Sequence, residues 1–240
     1  YRRRPVTHEA RESSKVAPPR GILRAPSPDG LLDGRRIVPS ARLATHVHHF
    51  WSLRWALRSP FTAEVLPHPA AQITHVDAAG ERRTELFGVQ TGRLVRSLVG
   101  EGRTFGITFR PVMFQPLLGA SMASLTDRAI PLEQVLGSQA NAWALAIDEA
   151  RDVDDEIAIT EAFLAPLVPP SSPRLLRLRD LVERMASDRS ILRVEDVAAA
   201  SGRGTRALQR CFRTHVGVGP KWVILRYRIQ PQTTDSAPQP

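Results

Sequence analysis

VEDVAAASGRGTRALQRCFRTHVGVGP, residues 194–220, sets a run of small residues, a glycine-flanked turn and a basic run in direct succession. Counted from Thr205, the residues Arg206, Gln209, Arg210 and Arg213 fall at i, i+3, i+4 and i+7, the spacing of one helical face. Leu208, Cys211, Phe212 and His215 have the same offsets and form the opposite face. The spacing predicts two short helices, about 194–200 and 205–215, joined by the turn Ser201-Gly202-Arg203-Gly204. A basic second helix braced by an apolar back is the pattern of a helix-turn-helix. A helix of about three turns fits the major groove, where Arg matches guanine O6/N7 and Gln matches adenine N6/N7.

Charge is distributed in keeping with that reading. The 240 residues carry a formal +9. Residues 172–240 hold 13 Arg and Lys against 6 Asp and Glu, and residues 1–20 hold 6 against 2, so the body between them is close to neutral. A basic segment on a neutral body points to a polyanion as partner of that segment alone. Arg outnumbers Lys 31 to 2 throughout, so the excess also fits a solvated surface set by coding bias.

Other classes recede on composition. No apolar run reaches the roughly 18 residues of a membrane span, and the basic N-terminus is followed by no apolar core of a secretory signal. A single cysteine excludes an internal disulfide and any multi-cysteine zinc site. The reading is a cytoplasmic protein with no membrane association and no cofactor.

Outward from the opening stretch, the chain divides by texture. Residues 1–20 and 231–240 read as disordered tails. Residues 21–137 read as a β-rich domain. THVHHFWSLRWAL (45–57), QITHV (72–76), ELFGVQTGRLVRSLVG and RTFGITFRP supply strands, with a hairpin tip at DAAGERR and bends or bulges at Gly88, Gly92 and Gly106. Five or more short strands imply a small sandwich or barrel. Residues 138–170 read as a helical connector, VPPSSP (168–173) as a linker, and 173–230 as an all-α module whose last helix is PKWVILRYRI. The fold class is therefore α+β.

The stretch 194–229 resembles the first helix-turn-helix of the AraC-type (AraC/XylS) transcriptional regulators. Ala198, Gly202, Arg206, Leu208, Arg210, Phe212, Gly217 and Pro220 stand in the order of that family's pattern. The front part resembles a regulatory domain found with this module, through FW (50–51), EVLPHP (64–69), GVQTGR (88–93), FGITFRP (105–111) and LTDRAIPLEQVLG (125–137). The resemblance implies a cupin-like β-barrel followed by helices. It implies DNA as partner, with Arg203, Thr205, Arg206, Gln209, Arg210, Arg213 and Lys221 as contacts. A small-molecule effector and a homodimer are the expectations for the front domain.

Two departures stand out. Gly204 occupies the position where the family usually has a capping Ser, a loss of only a few tenths of a kcal/mol. The family's second helix-turn-helix has no counterpart after Gln230, as in a truncated, frame-shifted or fragmentary chain, so weak and salt-dependent DNA binding is expected.

Other residues suggest rival chemistries. His46 and His48 would share a strand face, with His68 and His75 in reach, as in a metal-dependent cupin-type enzyme; yet the first carboxylate after them is Glu64, too late for that pattern. Cys211 reads as a buried thiol, Asp152–Glu156 as a helix start, and Trp51, Trp55 and Phe61 as packing. A truncated interaction protein that does not bind DNA is the remaining alternative.

Overall fold

Alternation along four strands builds the front half of the molecule. The computed structural model describes residues 29–229; the tails expected at 1–20 and 231–240 lie outside them. The strands are β1 (Gly30–Ile37), β2 (Val47–Leu57), β3 (Phe61–Val65), β4 (Gln72–Ala78), β5 (Glu81–Phe87), β6 (Leu94–Leu98), β7 (Glu101–Phe109) and β8 (Ala129–Pro131). Six of them form one antiparallel sheet in the order β1-β2-β7-β4-β5-β8, while β3 and β6 pair as a separate ribbon. The expected hairpin tip is a two-residue turn, Ala79-Gly80, with both residues at positive φ.

The sheet is open, which corrects the expectation of a closed barrel. Its edges, β1 and β8, do not pair with each other. Local pattern indicates strands, five or more here against eight among the described residues. Closure depends on whether the first and last strands meet, and no local pattern encodes that.

Register aligns three rows of side chains across β2, β7, β4 and β5. The first row, Phe50, Ile107, Ile73 and Leu86, is fully buried. The second is Ser52, Phe105, His75 and Thr84, and the third is Arg54, Arg103, Asp77 and Arg82. Two helices cover this face: α3 (Ser138–Glu149) and α4 (Val153–Leu164). They place Trp143, Ile147 and Leu164 over the apolar rows. Over the third row they place Asp148 and Glu156. Glu156 accepts from Arg54 Nη2 at 3.2 Å and from Ser52 Oγ at 3.2 Å. Asp148 meets Arg82 at 3.4 Å, Arg103 at 3.6 Å and His75 Nε2 at 3.0 Å. With Asp77, 3.7 Å from Arg103, three guanidiniums face three carboxylates, and the buried Glu156 is matched by counter-charge, which makes its burial tolerable.

On the opposite face, β7 offers glycines beneath tryptophans: Gly106 lies opposite Trp51, and Gly102 opposite Trp55. The β3–β6 ribbon packs Phe61, Ala63 and Leu98 against Trp55 and Leu57. Two one-turn helices, α1 (Gln115–Leu118) and α2 (Glu133–Leu136), and a 3-10 turn, Met122–Leu125, complete this half.

The C-terminal module is α5 (Pro173–Ser187), α6 (Val194–Ser201), α7 (Thr205–His215) and α8 (Pro220–Ile229). Ser172 caps α5 by accepting from the Leu175 amide. The module's core does not close on its own helices alone. Val89 and Val112, both from the front half, are buried in it with Leu178, Val182, Leu208, Phe212 and Val223. Val112 sits at φ 77°, a conformation strained for a β-branched residue, which costs about 1–3 kcal/mol. Burying its side chain recovers a similar amount. Arg110 clamps the same junction, with Nε donating to Ala44 O at 2.6 Å and Nη1 paired with Glu183 at 2.6 Å.

A Cβ on Gly106 would stand 2.0 Å from Trp51 Cε2, whereas one on Gly92 would meet nothing within 4 Å. Gly106→Ala is expected to destabilise the chain by about 1–3 kcal/mol, and Gly92→Ala to leave it unchanged. Urea unfolding followed by tryptophan fluorescence checks the pair, and equal midpoints would refute the packing described.

Candidate nucleic-acid interface

Helix α6 begins where the Asp196 carboxylate accepts from the amides of Leu192 at 2.9 Å and Arg193 at 2.8 Å; these bonds hold its pKa below the usual value. Val197 and Ala198 face inward. Gly202, at φ 63°, ends the helix in the left-handed conformation that glycine adopts without strain. Gly204 is then the extended N-cap of α7 and offers no side-chain acceptor.

On α7 the two faces separate as the spacing requires. Leu208 and Phe212 are 0% exposed and Cys211 is 9% exposed. Arg206, Gln209, Arg210 and Arg213 are all exposed. Among the described residues, none of those four side chains has a hydrogen bond or ion pair. The helix contains no acidic residue, so its outer face is uniformly cationic. Arg213 in the last turn also complements the negative end of the helix dipole. Thr205, the first residue of α7, and Arg203, in the turn, are half-buried, while Lys221 is exposed in the first turn of α8.

The C-terminal end of α7 is held by residues about 90 to 100 positions earlier, which sequence spacing gave no means of finding. Ser121 Oγ donates to Arg213 O at 3.3 Å, and Thr126 Oγ1 donates to Gly217 O at 2.7 Å. His215, expected on the apolar face, is half-buried and bonds Gln115 Oε1 through Nδ1 at 3.0 Å. Its pKa is lowered, by burial first and then by Arg174 and Arg203. The front domain therefore caps carbonyls that an isolated helix end would leave without partners. Gly217, at φ 103°, is the point of closest approach: a Cβ there would lie 3.1 Å from Met122 O.

The histidines sort differently from expectation. His46 lies in the turn before β2 and bonds the linker, Nε2 to Pro169 O at 3.1 Å. Register slips between Val47 and His49, so His48 sits in a bulge and does not share a strand face with His46. Instead, His48 Nδ1 lies 2.8 Å from His49 Nδ1, and the His48 and His68 rings are 5.9 Å apart. His75 belongs to the separate chain Thr84–His75–Asp148 under α3. Cys211 is buried, and Asp152 caps α4 by accepting from the amides of Asp154 and Asp155. Among the described residues no group of three or more His, Cys, Asp or Glu is placed to hold a metal ion.

Residues 35–131 match a family described as a domain of unknown function, DUF6597. The match runs from within β1 to the end of β8 and leaves the helical module outside it. No curated protein and no solved structure matches the chain. No helix among the described residues is long and apolar enough to cross a membrane.

Two measurements follow from this geometry. Gly217→Ala must both strain φ and crowd Met122 O, so it is expected to cost about 1–3 kcal/mol and to make the 168–173 linker more sensitive to protease. Unchanged melting and cleavage would contradict the capping of α7 by the front domain.

The second concerns pH. Burial, chiefly, lowers His48 to about 4, His49 to about 2 and His68 to about 3, with Arg36 adding to each. Unfolding returns each ring toward 6.5, so below that pH the unfolded chain binds protons that the folded chain excludes. Stability is therefore full above about pH 6.5 and falls as pH drops toward 4, by about 1.4 kcal/mol per pH unit for each ring. Denaturant midpoints at pH 7, 6 and 5 should decline steeply, and His49→Gln should flatten the decline; a level profile would rule the effect out.

Proposed function

We propose that the chain is a DNA-binding transcriptional regulator of the AraC type, which reads the major groove with α7. One observation carries the reading. Arg206, Gln209, Arg210 and Arg213 share an exposed face without side-chain partners among the described residues, while Leu208 and Phe212 anchor the other face. The burial of Leu208 and Phe212 in a core shared with the front domain, and the bonds from Ser121 and Thr126, fix the orientation of that face. Fixed orientation is what base reading requires, since side chains must reach base edges in register. Arg203 and Lys221 flank α7 in the chain and take the role of phosphate contacts.

The front domain is the regulatory part in this proposal, sensing a small-molecule effector or pairing two copies of the chain, in the cytoplasm. One helix-turn-helix offers only a handful of phosphate contacts, so binding by these 240 residues is weak and steeply salt-dependent.

Fluorescence anisotropy against randomised and selected duplexes, from 50 to 200 mM salt, tests this. Arg206→Ala is expected to lose about 1–3 kcal/mol on the preferred duplex and to relax sequence preference. Lys221→Ala should weaken all duplexes alike and reduce the salt slope by about 1. If neither substitution alters affinity, α7 is not the reading helix. Nanomolar, sequence-selective binding by monomer at physiological salt would overturn the expectation of weak binding.

A further inference from the structure

Arg226, on α8, is only 6% exposed, and its environment does not account for its charge. Nε donates to Pro67 O, in the loop after β3. Nη1 is buried with no hydrogen-bond partner, and among the described residues no carboxylate pairs with the guanidinium. Its pKa is lowered by burial, with Tyr227 the sole opposing influence. A guanidinium taken out of water without a counter-charge costs several kcal/mol. Under α3 and α4 the same chain meets the partly buried guanidinium of Arg103 with Asp77, Asp148 and Glu156.

The neighbours deepen the deficit. His68, one residue beyond Pro67, also has a buried Nδ1 without a partner. Its ring meets Tyr227 edge-on at 6.3 Å and His48 at 5.9 Å. Arg36 Nη2 reaches His48 Nδ1 at 3.1 Å. Arg110 stands near His48 but is paired with Glu183. Two unpartnered polar nitrogens, on opposite sides of the junction, therefore lie at or beside a buried guanidinium that no carboxylate of the described residues meets. Such a setting repels a metal cation and attracts an anion.

We propose that the junction between the front domain and α8 is a binding site for a compact oxyanion, phosphate or carboxylate, held by Arg226 and His68. Arg226 Nη1 donates to one oxygen, and His68 donates through Nδ1–H in the matching tautomer to another. Because Arg226 follows the proposed reading helix in the chain and His68 belongs to the front domain, the anion ties the two halves together. The site does not depend on the DNA-binding reading: Arg226 is buried and lies off the exposed face of α7.

The test uses the full chain, with sodium phosphate, sodium acetate and sodium chloride at matched ionic strength, read by thermal shift and calorimetry. Saturable stabilisation by phosphate or by acetate, absent with chloride, is expected, and whichever anion acts identifies the class. Arg226→Met and His68→Gln should each weaken that binding about tenfold or more. Arg206→Ala should leave it intact, which separates this site from phosphate contacts on α7. In chloride, Arg226→Met should melt no lower than the parent, since it removes a buried charge that has no partner. Equal stabilisation by all three salts, or undiminished binding in both junction variants, overturns the proposal. Should Arg226→Met fail to fold, His68→Gln decides it alone.

Discussion

Val112 reaches from the end of β7 into the core of the helical module, and the arrangement of the two halves depends on that insertion. It holds a backbone conformation that a β-branched residue avoids, and it is 3% exposed among Leu208, Phe212 and Val223. Val89 enters the same core from the loop after β5. A helical module built this way lacks part of its own interior without the front domain, so the two halves are expected to unfold together. Around this apolar contact the polar clamps are arranged: Arg110 to Ala44 and Glu183, His46 to Pro169, Ser121 and Thr126 to the end of α7. Helix α7 is thereby oriented by residues outside its own module.

Charge is handled in three distinct ways in this chain. Under α3 and α4, three guanidiniums and three carboxylates neutralise one another beside the core, so the buried Glu156 and the mostly covered Asp148 have counter-charges at hand. On α7 the guanidiniums are left in water, where desolvation costs nothing, their mutual repulsion is screened by solvent, and they stay accessible to an anionic partner. At the junction, Arg226 and His68 are buried without such compensation. The first arrangement supports the fold, the second suits reversible binding of a large partner, and the third suits a small ion enclosed by the protein.

Several features were legible because they are local. The limits of α7, its two faces and the Gly202 turn follow from helical periodicity and turn chemistry, which act over three or four residues. The hairpin at Ala79-Gly80 follows from turn chemistry over two. The sense of His48 was misjudged because a bulge adds one residue to a strand, and its position depends on the partner strand β7. His215 was placed on the apolar face by its offset, yet its partner, Gln115, lies 100 positions away.

By itself the sequence determined the helices of the C-terminal module and the strand-bearing stretches around β2, β4, β5 to β6 and β7, though not β1, β3 or β8, and that one short helix carries cations on one side and leucine and phenylalanine on the other, because periodicity and capping are written in neighbouring residues. Only the tertiary structure decided that the sheet stays open, that four strands align their polar residues in one row beneath Asp148 and Glu156, and that the front domain lends two valines to the helical core. Those outcomes rest on which distant surfaces meet. Burial and charge pairing across such surfaces are properties of the folded whole, and no window along the chain contains them.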